Sequence, residues 1–369
     1  MRITFLLPCY TWTPAGGPRV VYEYANRLVN RGHQVTVVHP LHLKYVPRER
    51  LDLRGKLRRL VYSAQGWLSK PSLDWLPVDE KVESLFVPSS DSIHIPDGDA
   101  IFATSWHTVR SVLECPKAKG EKCYLIQHYE VWQGSKDLVD ATWRAPLKKV
   151  VIAKWLMEKG AELGCRDMTY IPNAMNHEIY RVTRPIEKRR RRVAMMFSTM
   201  QFKGSRDGIK ALEIAKRRFP DLEAVFFSTS RRQPWVPEWV EYYRNPEQDF
   251  IVNEIFGQSS VFLSPSLAEG WPLPPAEAAA CGCAIVSTSN GGVREYIEHG
   301  ATGLLSPPED PDALAENICL LLENENLRVR LAKMGNQVVS RLNWDRSVDM
   351  FVEFIERVCN PQSEYARQQ

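Results

Sequence analysis

The 369-residue chain is predicted to be an α/β protein of two doubly wound, Rossmann-like domains, on three observations. Short apolar runs alternate with stretches of helical periodicity, as strands do when helices join them into a parallel sheet. The alternation stops at a basic run and then starts again. The length exceeds one ordinary hydrophobic core and suits two of about 150–200 residues each.

In the first half, Ile3-Thr4-Phe5-Leu6-Leu7 is an apolar strand ended by Pro8, and a loop with Pro14-Ala15-Gly16-Gly17-Pro18 follows. Val20, Val21, Tyr24, Ala25 and Leu28 then recur at helical spacing up to Gly32. Gln34 to Val38, Ala100 to Ala103, Cys123 to Ile126, Val150 to Ala153 and Met168 to Ile171 are the next strands. The run Lys188 to Arg192 is expected to be a solvated linker. Beyond it, Val193 to Phe197 is a strand, Ile209 to Phe219 a helix and Leu222 to Phe227 a strand. Further strands lie at Val261, Ala284 and Leu304, and Ser347 to Cys359 is the last helix. The expected domains are 1–175 and 190–346.

Composition narrows the function classes. Hydrophobic residues make up 44% and charged residues 25%, and a net charge of +4 is too mild to suggest a nucleic-acid partner. The apolar run after Met1-Arg2 is too short for a signal peptide or a membrane span, so a cytoplasmic chain is expected. The eight cysteines are scattered and fit reduced thiols, Cys281 and Cys283 included. Arg48, Arg50, Arg54, Lys56, Arg58 and Arg59 sit among Leu57, Leu60, Val61, Tyr62, Trp67 and Leu68. Such a stretch is either a peripheral contact with an anionic membrane face or a solvated insertion. Asp97-Gly98-Asp99 precedes a strand in a turn context, so no metal ligation is expected there, and no cofactor.

The chemistry concentrates in Glu269-Gly270-Trp271-Pro272-Leu273-Pro274-Pro275-Ala276-Glu277, which follows the strand at Val261 and opens a small-residue helix. A proline suits the first helical turn, where its missing N–H is harmless, and the positive helix end favours an anion. Carboxylates accept hydrogen bonds only and suit vicinal hydroxyls. A phosphate beside hydroxyls outlines a nucleotide-sugar site. Lys203-Gly204, in another strand-to-helix loop, places an ammonium where a leaving diphosphate is neutralised. Gly16-Gly17 allows close backbone approach to a phosphate. Trp12, Trp106 and Trp132 fall in loops after strands and suit the C–H faces of a saccharide acceptor.

The nine-residue run resembles the E-x7-E signature of glycosyltransferase family 4, retaining enzymes of the two-domain GT-B fold. Ala280 to Ser287, Gly291-Gly292-Val293-Arg294-Glu295 and Gly300 to Leu305 continue the likeness, and Leu28 to Val37 matches an amino-terminal signature. The resemblance implies two domains facing across a cleft, with the helix from 347 onward packing back on the first. It implies no metal and a nucleotide-sugar donor linked to UDP, GDP or dTDP. Its acceptor would be a saccharide or lipid-linked group. Glu277 matches the acid that binds ribose hydroxyls and Glu269 the one near the transferred sugar. Gly16, Gly17, Gly270, Trp271 and Leu273 match donor-contacting positions, and His128 matches a histidine near donor sugar and acceptor. Two departures stand out: Ser198 replaces an arginine that normally accompanies Lys203, and Pro272 replaces a glycine. Arg206 is a candidate substitute for the missing arginine. The rival readings are another GT-B enzyme, an epimerase or phosphorylase, against which the E-x7-E run argues, and a nucleotide or carbohydrate binder with impaired catalysis.

Overall fold

The computed structural model describes residues 1–11, 13–45, 75–132 and 134–360. Trp12 and the basic-aromatic stretch from Arg48 to Leu68 lie outside the described residues. The chain divides into two compact units, Met1–Pro172 with Asp345–Gln369, and Asn173–Trp344.

The first unit holds β1 (Arg2–Leu6), β2 (Gln34–Pro40), β3 (Glu83–Val87), β4 (Ala100–Ala103), β5 (Glu121–Ile126), β6 (Lys148–Val151) and β7 (Met168–Tyr170). They form one sheet in the order β3-β2-β1-β4-β5-β6-β7, every pair parallel. The described helices are α1 (Gly16–Asn30), α2 (Trp106–Leu113), α3 (Lys136–Arg144) and α4 (Lys154–Glu162). Central strands such as β4 are buried at every position, which is why they read as continuous apolar runs rather than alternating ones. The final helix, α9 (Trp344–Cys359), places Phe351 against Tyr24, Phe102 and Phe5 at ring distances of 4.4, 5.0 and 6.0 Å. Removing that buried ring would cost about 3–5 kcal/mol, so the helix is integral to this core.

The second unit holds β8 (Arg190–Met196), β9 (Glu223–Ser228), β10 (Val240–Arg244), β11 (Ser259–Ser264), β12 (Ala284–Thr288) and β13 (Leu304–Ser306). Its sheet runs β10-β9-β8-β11-β12-β13, again all parallel. Its longer helices are α5 (Ser205–Arg218), α6 (Leu273–Ala280), α7 (Pro311–Glu323) and α8 (Glu325–Val339).

Lys188 to Arg192 is not a solvated linker. Arg190 opens β8, and Arg189 and Arg192 are buried. The Arg189 guanidinium donates to the carbonyls of Phe256 (3.2 Å), Ser259 (3.1 Å), Arg184 (3.2 Å) and Cys281. Arg192 pairs with Glu241 and donates to Gln258 at 3.2 Å. A charge run reports net charge only; three of the four carbonyls that hold Arg189 come from segments about 70 and 90 residues away. The edge strands β3 and β10 also escape the sequence reading. Each mixes polar and apolar residues, as in Glu83-Ser84-Leu85-Phe86-Val87 and Val240-Glu241-Tyr242-Tyr243-Arg244.

Candidate functional site

In parallel sheets of this kind, ligands lie beyond the carboxyl ends of the strands. The loops leaving β8 and β11 bring the predicted donor residues of the second unit together. After β8 the chain makes a short 3-10 turn, Gln201–Lys203, then Gly204 in the left-handed region (φ 62°), and α5 begins. A Cβ at Gly204 would lie 2.0 Å from the Pro265 carbonyl oxygen, so only glycine allows this approach to the β11 loop. The Leu267 amide donates to the Phe202 carbonyl at 2.7 Å and joins the two loops further.

Lys203 Nζ thereby reaches Glu269 Oε1 at 2.7 Å. The side chains keep 20% and 11% of their exposure, so the pair is shielded while still open to a ligand. Glu269 is fixed from its other side as well. Its amide donates to the Asn290 carbonyl, and its own carbonyl accepts from Gly292, both at 3.2 Å. A Cβ at Gly292 would fall 2.3 Å from the Gly270 oxygen, which explains a glycine there. Glu269 lines a small recess with Ser264, Pro265, Ser266, Pro274 and Pro275.

Leu273 is the first residue of α6, and Glu277 is buried one turn later at 5% exposure. The start of α6 supplies fewer N–H groups than the sequence suggests. Pro274 and Pro275 both stand in its first turn and neither has an amide hydrogen. The Trp271 ring is buried against Tyr296 at 4.9 Å, and the Tyr296 hydroxyl donates to the Pro272 carbonyl at 2.6 Å. Pro272 thus loses a donor yet contributes an acceptor that pins the loop. Burial pushes the Tyr296 phenol well up, with the nearby Glu269 and Glu277 charges adding to the effect.

Ser198 does not point a hydroxyl at the recess as a stand-in for arginine. Its amide donates to Ser205 Oγ (2.9 Å), and its Oγ accepts from the Met200 amide (3.2 Å), a local turn. Arg206 does not substitute either: its guanidinium stacks over the Trp235 ring, 4.4 Å from the centroid.

In the first unit, Gly16 and Gly17 are the first two residues of α1 rather than a loop before it. Gln127 Nε2 donates to the Gly17 carbonyl at 3.3 Å. His128 meets the Trp132 ring edge-on at 4.3 Å and Trp155 at 5.8 Å. Trp132 is 38% exposed. Trp106 opens α2 and stacks near His107 at 3.9 Å, and a Cβ at Gly134 would lie 2.6 Å from the Trp106 ring. Sequence reasoning gave Glu130 no role, yet it organises this cluster. Its Oε2 accepts from the Ser105 hydroxyl (3.0 Å) and the Trp106 amide (3.3 Å), at the amino end of α2. Burial pushes the Glu130 carboxyl up, and those two donors pull it back. The only sequence sign was its place two residues after His128. Asp97 pairs with Lys119 (2.8 Å) and Asp99 accepts from the Arg2 amide (2.7 Å), so both are engaged in holding the strand ends. Among the described residues no cluster of three or more His, Cys, Asp or Glu side chains could hold a metal, and no helix is long and apolar enough to cross a membrane.

Comparisons with known proteins agree with this geometry. Residues 240–338, which include the Glu269–Glu277 run, match the family described as glycosyl transferases group 1. Over 119 residues the chain is 34% identical to N,N'-diacetylbacillosaminyl-diphospho-undecaprenol alpha-1,3-N-acetylgalactosaminyltransferase of Campylobacter jejuni, covering 32% of this chain and 31% of that protein. The matches span from about a tenth to about a third of the length of the curated relatives. Sucrose-phosphate synthase from Thermosynechococcus elongatus superposes with a TM-score of 0.72 at 15% identity, covering 97% of this chain and 98% of that one. Anabaena HepE, solved with UDP-glucose, gives 0.71 at 14% identity, covering 99% and 100%. The fold is that of the GT-B glycosyltransferases, and the second unit carries a region of the glycosyl transferases group 1 type.

Proposed function

We propose that this protein transfers a hexose or deoxyhexose from a UDP-, GDP- or dTDP-sugar to a saccharide or lipid-linked acceptor, with retention at the anomeric carbon. The observation that carries the proposal is the meeting of Lys203 with Glu269 at 2.7 Å, where Glu269 and the buried Glu277 both lie inside the group 1 region. An ammonium for the diphosphate, a carboxylate for sugar hydroxyls and another for ribose hydroxyls are the chemistry such a donor requires. The solved complex of HepE with UDP-glucose supports a nucleotide-sugar ligand for this fold.

In this reading Lys203 takes up charge on the departing diphosphate, with backbone amides of Gly270, Trp271 and Leu273 beside it. No residue of the site is placed as a covalent nucleophile. The acceptor attacks on the face the diphosphate leaves, and a phosphate oxygen takes its proton. The Lys203 charge replaces a metal ion. Trp106, Trp132 and His128 offer stacking and hydrogen bonding to the acceptor. The role fits surface polysaccharide or glycolipid assembly on the cytoplasmic side of a membrane.

A second reading, a donor-binding protein without turnover, is favoured by Ser198 and Arg206, which leave the arginine position unfilled. Nucleotide release from a panel of UDP-, GDP- and dTDP-sugars, with EDTA present, separates the two. Release from one donor is expected, falling about a hundredfold or more in Lys203→Ala with little change in stability. Stabilisation by a donor without release at any acceptor supports the binder. No binding of any nucleotide sinks both.

A further inference from the structure

We infer that the Lys203–Glu269 ion pair couples the two halves of the donor site: an anion enters only by taking Lys203 from Glu269, and the carboxylate so released then accepts sugar hydroxyls. The inference rests on the nucleotide-sugar reading of this site. The residues assigned to phosphate and to sugar are bonded to each other at 2.7 Å, so each has its charge matched and part of its hydrogen-bonding capacity committed before a ligand arrives. The other polar and cationic side chains near Lys203 are oriented by local partners. The Ser198 amide is held by Ser205 Oγ, the Ser198 hydroxyl by the Met200 amide and Arg206 by Trp235, while Pro274 and Pro275 have no amide hydrogen. Lys203 is therefore the cation of these loops that a diphosphate meets, beside the backbone amides of Gly270, Trp271 and Leu273. Arriving there, the diphosphate sets its own negative charge beside the Glu269 carboxylate, in a place largely shielded from water, and the two anions repel.

The backbone cannot absorb this conflict. Gly204 lies hard against the Pro265 carbonyl and Gly292 against that of Gly270, which clamps the loops carrying both side chains. The exchange is thus a movement of side chains: Lys203 turns to the anion and Glu269 loses its counter-ion. A carboxylate without its ammonium is a stronger acceptor for hydroxyl groups. Anion binding and sugar binding consequently favour each other, as linkage requires of any two coupled ligands. The consequence is specificity. A free sugar meets a carboxylate already paired, whereas an intact donor supplies the anion that unpairs it.

The test measures pyrophosphate binding by calorimetry in the wild type, Glu269→Gln, Lys203→Gln and the double variant. Pyrophosphate probes the anion half without a base or sugar. Glu269→Gln should tighten pyrophosphate roughly three- to tenfold, the scale of a partly exposed ion pair, although it removes a residue of the site. Lys203→Gln should weaken it, and Glu269→Gln should add little in that background. Equal or weaker binding in Glu269→Gln overturns the inference. So does an equal gain in the Lys203→Gln background, because that is general repulsion and needs no exchange. If folded wild type binds neither pyrophosphate nor any nucleoside diphosphate and Glu269→Gln binds neither, the donor-site reading itself fails. Binding in wild type unaffected by Glu269→Gln removes the coupling alone.

Discussion

Gly204→Ala tests how tightly the fold holds the candidate donor site. Gly204 has φ 62° and ψ 18°, a left-handed conformation that costs a residue with a Cβ about 1 kcal/mol. The new Cβ would also stand 2.0 Å from the Pro265 oxygen and 2.8 Å from its carbonyl carbon. These are backbone atoms at the end of β11 and cannot swing aside as a flexible side chain would. Forced repacking of this kind adds about 1–3 kcal/mol, giving a total of about 2–4 kcal/mol. Gly300→Ala in the same unit isolates the first contribution, since Gly300 has φ 77° and nothing within 4 Å of its would-be Cβ. It should cost about 1 kcal/mol. Urea unfolding of both variants, followed by tryptophan fluorescence, gives the difference directly. Gly204→Ala should also weaken pyrophosphate binding, because relief of the clash moves Lys203. If the two variants agree within about 0.5 kcal/mol, the close approach of the β8 and β11 loops is not what positions the lysine.

Two further outcomes follow from buried charge. Arg189→Met should destabilise the second unit by about 3 kcal/mol or more, because the carbonyls of Phe256, Ser259 and Cys281 lose their shared donor; a loss below about 1 kcal/mol in urea unfolding would return Arg189 to the surface. His39 is buried beside Tyr22, whose hydroxyl meets its Nε2 at 2.7 Å, and burial pushes the imidazole down to about 3 from an ordinary 6.5. The depressed folded value means that the unfolded chain takes the proton first. The His39 contribution is complete above pH 6.5 and drains away as pH falls toward 3. At about 1.4 kcal/mol per pKa unit, roughly 2–3 kcal/mol of first-unit stability should go between pH 7 and 4.5. His39→Gln should flatten that part of the profile, and an unchanged slope in urea titrations at the two pH values would refute the assignment.

The class of the fold was legible because periodicity is a local record of burial. Runs such as Ala100–Ala103 and Ser259–Ser264 are covered on both faces, and their composition says so without reference to any partner. The two acids of the Glu269–Glu277 run and the lysine of the β8 loop were legible for the same reason, since strand-to-helix loops can be located from the chain alone. Edge strands β3 and β10 were not, because half-exposed strands carry mixed composition.

Tertiary structure alone decided what the charged and polar groups do. Lys203 and Glu269 are 66 residues apart, and their pairing depends on a glycine in one loop fitting against a carbonyl of another. The same holds for Arg189, whose side chain leaves solvent only because distant carbonyls converge on it. Ser198, where the resemblance expects an arginine, turns to its neighbour's amide, and Arg206 lies on Trp235. Glu130 is held by Ser105 and the start of α2, a relation invisible in Gln127-His128-Tyr129-Glu130. Sequence by itself determined where apolar surface must be buried, and so the two parallel sheets. The partners of buried charges come from segments that meet only once those sheets have formed, and only the folded chain decides them.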